Sequence, residues 1–146
     1  MQPCLSHPEV LPIITERVLS QLATRPDLLN IPVSQNDGGA HCQCADCAEV
    51  DQREGGPQGS LLKFVNSVAD EVATEFPDRF VGTLAYSDTA GPPTTLRPRD
   101  NVQIQWCSIS TCFIHGFANR TCPTNEWHIS QLRRWADRTD HLYVWN

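Results

Sequence analysis

Polar residues able to bind a ligand or move a proton follow four candidate strands of this 146-residue chain. In parallel α/β folds, ligands bind at the carboxyl ends of the strands, so these positions are the first places to look for chemistry. In chain order they are Ser34, Gln35, Asn36 and Asp37; then Tyr86, Ser87 and Asp88; then Cys107, Ser108, Cys112 and His115; then Trp145 and Asn146.

Seven cysteines are many for a cytosolic protein of this size, and three of them form the motif Cys42-x-Cys44-x-x-Cys47. Three interpretations stay open. The thiolates could bind a structural zinc or iron ion, with His41, Cys107, Cys112 or His115 completing the shell. They could form disulfides that hold the long loop of a secreted protein, or they could be reduced thiols without a role. We predict disulfides and no cofactor, and we disfavour redox catalysis because the thioredoxin-like pattern is absent.

Hydrophobic periodicity predicts alternating helices and strands, and therefore a parallel sheet with right-handed crossovers. A helix should begin at Ser6, where Glu9 can complete a capping box, and later helices are expected at 60–76 and about 124–137. Strands are expected at 28–33, 80–86, 101–107 and 141–145. Four strands are half of an eight-stranded barrel. The chain is therefore either a single partial (β/α)8 barrel domain over residues 1–146, a fragment of a longer protein, or an open parallel sheet.

The charge and hydropathy of the chain argue against some classes of binding partner. A net charge of −6 with a pI near 5.2 argues against nucleic acid, because no basic field recruits phosphates. The cluster Arg133, Arg134 and Arg138 is interpreted as a solvated helix face. No apolar run is long enough to insert into a membrane, and the first residues lack the features of a signal peptide.

A family resemblance rests on several motifs in order. They are Ser34-Gln35-Asn36-Asp37, Cys42-x-Cys44-x-x-Cys47, Phe64-Val65-Asn66, Leu84-Ala85-Tyr86, Cys107-Ser108-Ile109 and Tyr143-Val144-Trp145. Together they resemble a bacterial family of unknown function, glycoside-hydrolase-like and distantly similar to α-glucuronidases and β-hexosaminidases. The resemblance implies the middle of a TIM barrel, an oligo- or polysaccharide substrate, the rest of the barrel in a longer chain, and a periplasmic or secreted location.

For the site, the resemblance implies hydrolysis of O-glycosidic bonds, which needs an acid for the leaving oxygen and a second catalytic group. Asp37 is the candidate general acid. Asn36 stands where β-hexosaminidase-like enzymes carry a second carboxylate, which argues against acetamide-assisted hydrolysis. A second carboxylate would be Asp88 or one outside this chain, and the expected substrate-binding residues are Gln35, Asn36, Tyr86, Asp88 and Trp145.

Structural interpretations stand beside these roles. Asn36-Asp37-Gly38-Gly39 is typical turn chemistry, in which an aspartate only closes the loop. Trp106 is expected in the core rather than at a sugar site. The alternative functions are a non-catalytic saccharide-binding barrel and a metal- or disulfide-stapled structural fragment.

Overall fold

Four parallel strands, neighbours in chain order, form the sheet of the computed structural model, which describes residues 2–145. Met1 and the predicted strand-end residue Asn146 lie outside the described residues. The elements are α1 (Val10–Thr24), β1 (Asn30–Pro32), α2 (Ala45–Glu54), α3 (Gln58–Glu75), β2 (Phe80–Ala85), β3 (Val102–Cys107), α4 (Pro123–Ala136) and β4 (Leu142–Trp145). The α/β fold and the parallel sheet are confirmed. The sheet is open, with β1 and β4 at its edges, and is not a closed barrel.

One face of the sheet is covered by helices. Alternation along β3 sends Val102, Ile104 and Trp106 to this face, where none of the three is exposed. Their register partners Val81, Thr83 and Ala85 on β2 point the same way. Apolar residues of α1, α3 and α4 complete the core, among them Val18, Leu22, Val65, Val68, Val72 and Trp135. The predicted core position of Trp106 is confirmed.

The opposite face of the sheet carries polar and aromatic side chains that are half-buried or exposed. Asn30 on β1 donates a hydrogen bond to Gln103 on β3, so its side chain crosses β2. This crossing needs Gly82, because a Cβ there would lie 2.6 Å from Asn30 Oδ1. Tyr143 on β4 donates to Gln105 Oε1 at 2.8 Å. The face is therefore spanned by side-chain hydrogen bonds.

The connection from β2 to β3 contains a short 3₁₀ turn at Ser87–Thr89 and no α-helix. Its backbone is held by side chains instead. Glu54, only 1% exposed, accepts from Thr95 N at 2.7 Å, Thr95 Oγ1 at 2.6 Å and Leu96 N at 3.1 Å. Asn66 donates to Arg97 O at 2.9 Å and accepts from Arg99 N at 3.1 Å. These two buried side chains take the place of the hydrogen bonds that a crossover helix would make for itself.

The structure shortens the predicted first strand to Asn30–Pro32 and begins the second predicted helix at Gln58, and it differs further at two helices. Helix α2 falls inside the stretch 34–59, where hydrophobic periodicity predicts no helix, because α2 is polar and buries little beyond Cys47, Val50 and Glu54. Helix α1 begins at Val10, with Glu9 and not Ser6 at its N-cap. Ser6 Oγ instead lies 3.1 Å from Cys47 Sγ. Among residues 2–145, no helix is both long and apolar enough to span a bilayer.

We expect Glu54→Gln to destabilise the fold by about 1–3 kcal/mol, because an amide N–H₂ would face backbone N–H donors that now meet a carboxylate. Urea unfolding measures the change. Glu49→Gln is the matched control, since Glu49 is exposed on the same helix. Equal free energies of unfolding for the two variants would contradict the anchoring role.

Acid should remove part of this stability. Burial raises the pKa of Glu54, but hydrogen bonds from Thr95 and Leu96 outweigh it and lower the pKa from 4.5 to about 2. A carboxyl group with a depressed folded-state pKa stabilises the protein above its unfolded pKa and loses this contribution as the pH falls toward the folded value. The stability gap between wild type and Glu54→Gln should therefore shrink between about pH 5 and pH 2 in urea unfolding. A gap that does not change with pH would contradict the assignment.

Candidate functional site

The loop after β1 and the turn after β2 meet at the carboxyl edge of the sheet. His41 Nε2 lies 2.8 Å from Asp88 Oδ2, and Gln35 Nε2 donates to Thr89 Oγ1 at 2.6 Å. Thr89 Oγ1 donates in turn to Tyr86 O at 2.9 Å. The structure thus places Gln35 and Asp88, two predicted substrate-binding residues, in two loops that are tied to each other.

Asp37 and Asn36 lie on the exposed outer part of the first loop. The chain turns directly after Asp37 through Gly38, whose φ of +94° suits glycine. The Gln2 side chain holds this turn: its Nε2 donates to Asn36 O at 2.6 Å and Gly38 O at 2.9 Å, while its Oε1 accepts from Asn36 N at 2.9 Å. Asp37 is therefore presented to solvent on a backbone that is fixed from the amino-terminal segment.

Backbone strain occurs at the end of β2. Ser87, between Tyr86 and Asp88, has a φ of +53°, and it is the non-glycine residue with positive φ in the described chain. Such conformations are uncommon outside glycine and cluster at functional sites, where surrounding contacts maintain them. Here the 3₁₀ turn that begins at Ser87, with Ala90 N donating to Ser87 O at 3.2 Å, fixes the strained residue.

Trp145, at the end of β4, is 57% exposed on the sheet face opposite the helices. Its carbonyl accepts from Ser108 N at 3.3 Å and Ser108 Oγ at 3.2 Å. β4 is two strands from β2, about 10 Å away. Trp145 therefore shares the carboxyl edge with Tyr86 and Asp88 but is not in their immediate cluster.

A cavity of about 90 Å³ lies beneath the first loop, between α1, α3 and the amino-terminal segment. It is smaller than the roughly 300–1,000 Å³ of typical ligand pockets. This cavity is therefore too small to enclose a ligand of ordinary size.

A cluster of four thiols lies beside this loop, formed by Cys4, Cys42, Cys44 and Cys47. All four Sγ atoms are within 4.8 Å of one another; Cys4 Sγ is 3.6 Å from Cys44 Sγ and 4.0 Å from Cys47 Sγ. Cys44 is the N-cap of α2, and Cys47 lies in its first turn. Such a group can bind a thiophilic metal ion, and the predicted candidates Cys42, Cys44 and Cys47 are indeed brought together.

The thiols of this cluster do not ionise independently. The backbone N–H of Cys47, with the neighbouring side chain of Cys4, lowers the pKa of Cys44 to about 7. Hydrogen bonds with Cys42 and Cys44 raise the pKa of Cys4 to about 12. The Cys44 thiolate is therefore stabilised by its neighbours, whereas Cys4 would have to lose its proton beside an existing negative charge.

A second cluster, Cys112, His115 and Cys122, lies in the loop after β3. Cys112 Sγ is 3.2 Å from His115 Nδ1, which lowers the pKa of Cys112 to about 7. Fully buried Asn125 fixes the loop by accepting from Cys112 N at 2.8 Å and donating to Cys112 O and His115 O. The cluster offers three ligand atoms, one fewer than a closed tetrahedral site.

The disulfides predicted from the sequence are not present: the structure has seven free cysteines. Cys4 Sγ and Cys44 Sγ are 3.6 Å apart, whereas the sulfurs of a disulfide are about 2.05 Å apart. Cys107 does not belong to either cluster; it is buried, and burial raises its pKa. His41 pairs with Asp88 and does not join the thiols. Sequence reasoning missed Cys4 and Cys122, because neither belongs to a short cysteine motif.

Comparison with known proteins gives one match, to a family whose model covers the whole chain, residues 1–146. Its description is Domain of unknown function (DUF4838). The chain belongs to this family. No curated protein and no solved structure matches it. Membership of DUF4838 confirms the unknown-function family that the ordered motifs indicate.

Thiol titration tests the cysteine assignment. Denatured, chelator-treated protein should react with about seven equivalents of a thiol reagent when no reductant is added, because seven cysteines are free. Fully reduced protein is the control and should give the same count. A deficit of two or four equivalents against that control would restore the disulfide interpretation.

Proposed function

We propose that this chain is a section of a bacterial, glycoside-hydrolase-like (β/α)8 barrel that binds oligo- or polysaccharide and hydrolyses O-glycosidic bonds. The observation that carries the proposal is the convergence of two polar loops at the carboxyl edge of a parallel sheet, through His41–Asp88 and Gln35–Thr89. This edge is where parallel α/β folds bind their ligands.

The proposal of a barrel is supported by the strand order and by the difference between the two faces of the sheet. Strands β1 to β4 are parallel neighbours in chain order, without the reversal of a doubly wound sheet. The helices pack on one face, and the other carries Asn30, Gln103 and Gln105, with exposed Tyr143 and Trp145. Further strands beyond β1 and β4 would turn this second face into a barrel interior.

Saccharide binding is supported by the residue types at the edge. The exposed indole of Trp145 can pack against the apolar face of a sugar ring. Asn36, Tyr86 and Asp88 offer amide, hydroxyl and carboxylate groups for sugar hydroxyls. Gln35 instead positions the loop, because its Nε2 donates to Thr89 and its Oε1 is buried. The strained backbone at Ser87 adds a feature common at ligand sites.

In the proposed hydrolysis, Asp37 is the general acid. Its side chain is exposed at the ligand edge, on a turn held by Gln2, so it can approach a glycosidic oxygen. Asp88 is less suited to activate water because its Oδ2 is paired with His41 at 2.8 Å. The second catalytic group would then come from strands that complete the barrel.

The pairing of Asp88 favours one alternative, a non-catalytic saccharide-binding barrel. In that case Asp37 closes its loop, and the edge keeps the sugar-binding groups without a complete acid–base pair.

Substitution of Asp37 separates the two functions. In this chain and in any longer gene product that contains it, Asp37→Asn should reduce the rate of hydrolysis of aryl-glycoside and glucuronide substrates at least 100-fold, since general acids contribute about 10²–10⁴-fold. Asp78→Asn is the control, because Asp78 is exposed at the opposite edge of the sheet, before β2. Circular dichroism verifies folding.

A glycan array with the same variants completes the test. If wild type shows no turnover and saccharide binding survives Asp37→Asn, the alternative of a non-catalytic saccharide-binding barrel is established. The proposal would be refuted if wild type neither binds any saccharide on the array nor hydrolyses any of the substrates.

A further inference from the structure

We propose that Cys4, Cys42, Cys44 and Cys47 bind one Zn²⁺ ion as a closed structural site that fixes the loop bearing Asp37. The inference goes beyond the proposed function and does not depend on it, because it rests only on the geometry of the four thiols and their neighbours.

The sulfur positions fit tetrahedral zinc. Zn–S bonds of about 2.3 Å place the sulfurs of a tetrahedron about 3.8 Å apart. Cys4 Sγ lies 3.6 Å from Cys44 Sγ and 4.0 Å from Cys47 Sγ, and all four sulfurs fall within 4.8 Å. Disulfides would require about 2.05 Å for each bonded pair. The four sulfurs therefore surround a volume of the size that a metal ion occupies.

The donor set favours zinc over harder ions. Four cysteine sulfurs are the ligands of structural zinc sites, whereas Mg²⁺ and Ca²⁺ prefer oxygen. Cys44 and Cys47 have the x-x spacing common in such sites, and both lie at the N-terminus of α2, where the helix dipole favours a negative charge. On binding, the thiols lose their protons to solvent and ligate as thiolates.

A neighbouring group supports the ligands. Ser6 Oγ lies 3.1 Å from Cys47 Sγ and can donate to the thiolate. Outer contacts of this kind orient ligands in metal sites. Ser6 and Cys4 belong to the same amino-terminal segment, so that segment contributes both a ligand and its support.

The proposed ion would tie three parts of the chain together. Cys4 lies in the segment before α1, Cys42 in the loop after β1, and Cys47 in α2. From the same segment, Gln2 binds the backbone of Asn36 and Gly38. Zinc bound to Cys4 would thus hold Gln2 over the Asp37 turn. The site stabilises the loop after β1 at the carboxyl edge of the sheet and takes no part in a reaction.

Metal analysis of protein purified without chelator from zinc-supplemented cells tests the site. The variant Cys4→Ser should contain one zinc equivalent per chain less than wild type. Cys4→His, which keeps a zinc ligand at this position, should retain that equivalent, and Cys107→Ala is the control outside both clusters. Comparison with wild type makes the result independent of any metal at Cys112, His115 and Cys122.

Two further measurements keep the inference testable if Cys4→Ser does not fold. Cobalt substitution of wild type should give the intense visible absorption of tetrahedral cobalt thiolate. Chelation should accelerate amide hydrogen exchange at residues 34–42. Zinc content unchanged by Cys4→Ser, no stoichiometric zinc in wild type, or iron in its place would each overturn the proposal. Because no readout involves saccharide, its failure is distinguishable from failure of the proposed function.

Discussion

The segment from β2 to β3 must cross the sheet without a helix of its own, and this constraint shapes the rest of the fold. Buried Pro92 and Pro93 provide no N–H donors, and the remaining polar backbone groups need partners. Side chains from three helices supply them: Glu54 from α2, Asn66 from α3, and Trp135 from α4, whose Nε1 donates to Ala90 O at 2.9 Å. Arg138, just after α4, donates to Thr94 O and Leu96 O, so it is more than the solvated residue predicted from the sequence. The crossover thereby links helices that the parallel sheet alone would not connect.

The contacts that hold the crossover also restrain the turn after β2, at the carboxyl edge of the sheet. The turn after β2 begins where this crossover begins, so the contacts that fix residues 90–99 also limit the movement of Tyr86, Ser87 and Asp88. The positive φ of Ser87 can persist because the chain on both sides of it is held, by β2 on one side and by buried Thr89 on the other. The first loop has weaker internal structure and depends on contacts from elsewhere, through Gln2, the His41–Asp88 pair and the four thiols.

The two faces of the sheet explain how one chain can combine an apolar core with an open polar surface. Apolar alternation on β3 places Ile104 and Trp106 under the helices, while Gln103 and Gln105 on the same strand reach across the open face. Polar side chains on that face form hydrogen bonds with one another, which lowers the free-energy cost of burying them if further strands cover the face. The same groups would remain available to water or to a polar ligand where the face stays open.

Helices and strands with a strong hydrophobic period can be predicted from the sequence alone. Alternation in β3 and the apolar stripe of α3 predict their structures, since burial on one face leaves a repeat of fixed period. The polar helix α2 left no such repeat, and its existence depends on packing against α3. The motif Cys42-x-Cys44-x-x-Cys47 pointed to the thiol site, but its fourth member, Cys4, is distant in sequence and becomes a neighbour only through the fold. Local spacing records which residues one helix or strand can bring together; contacts between segments far apart in the chain are decided by tertiary packing.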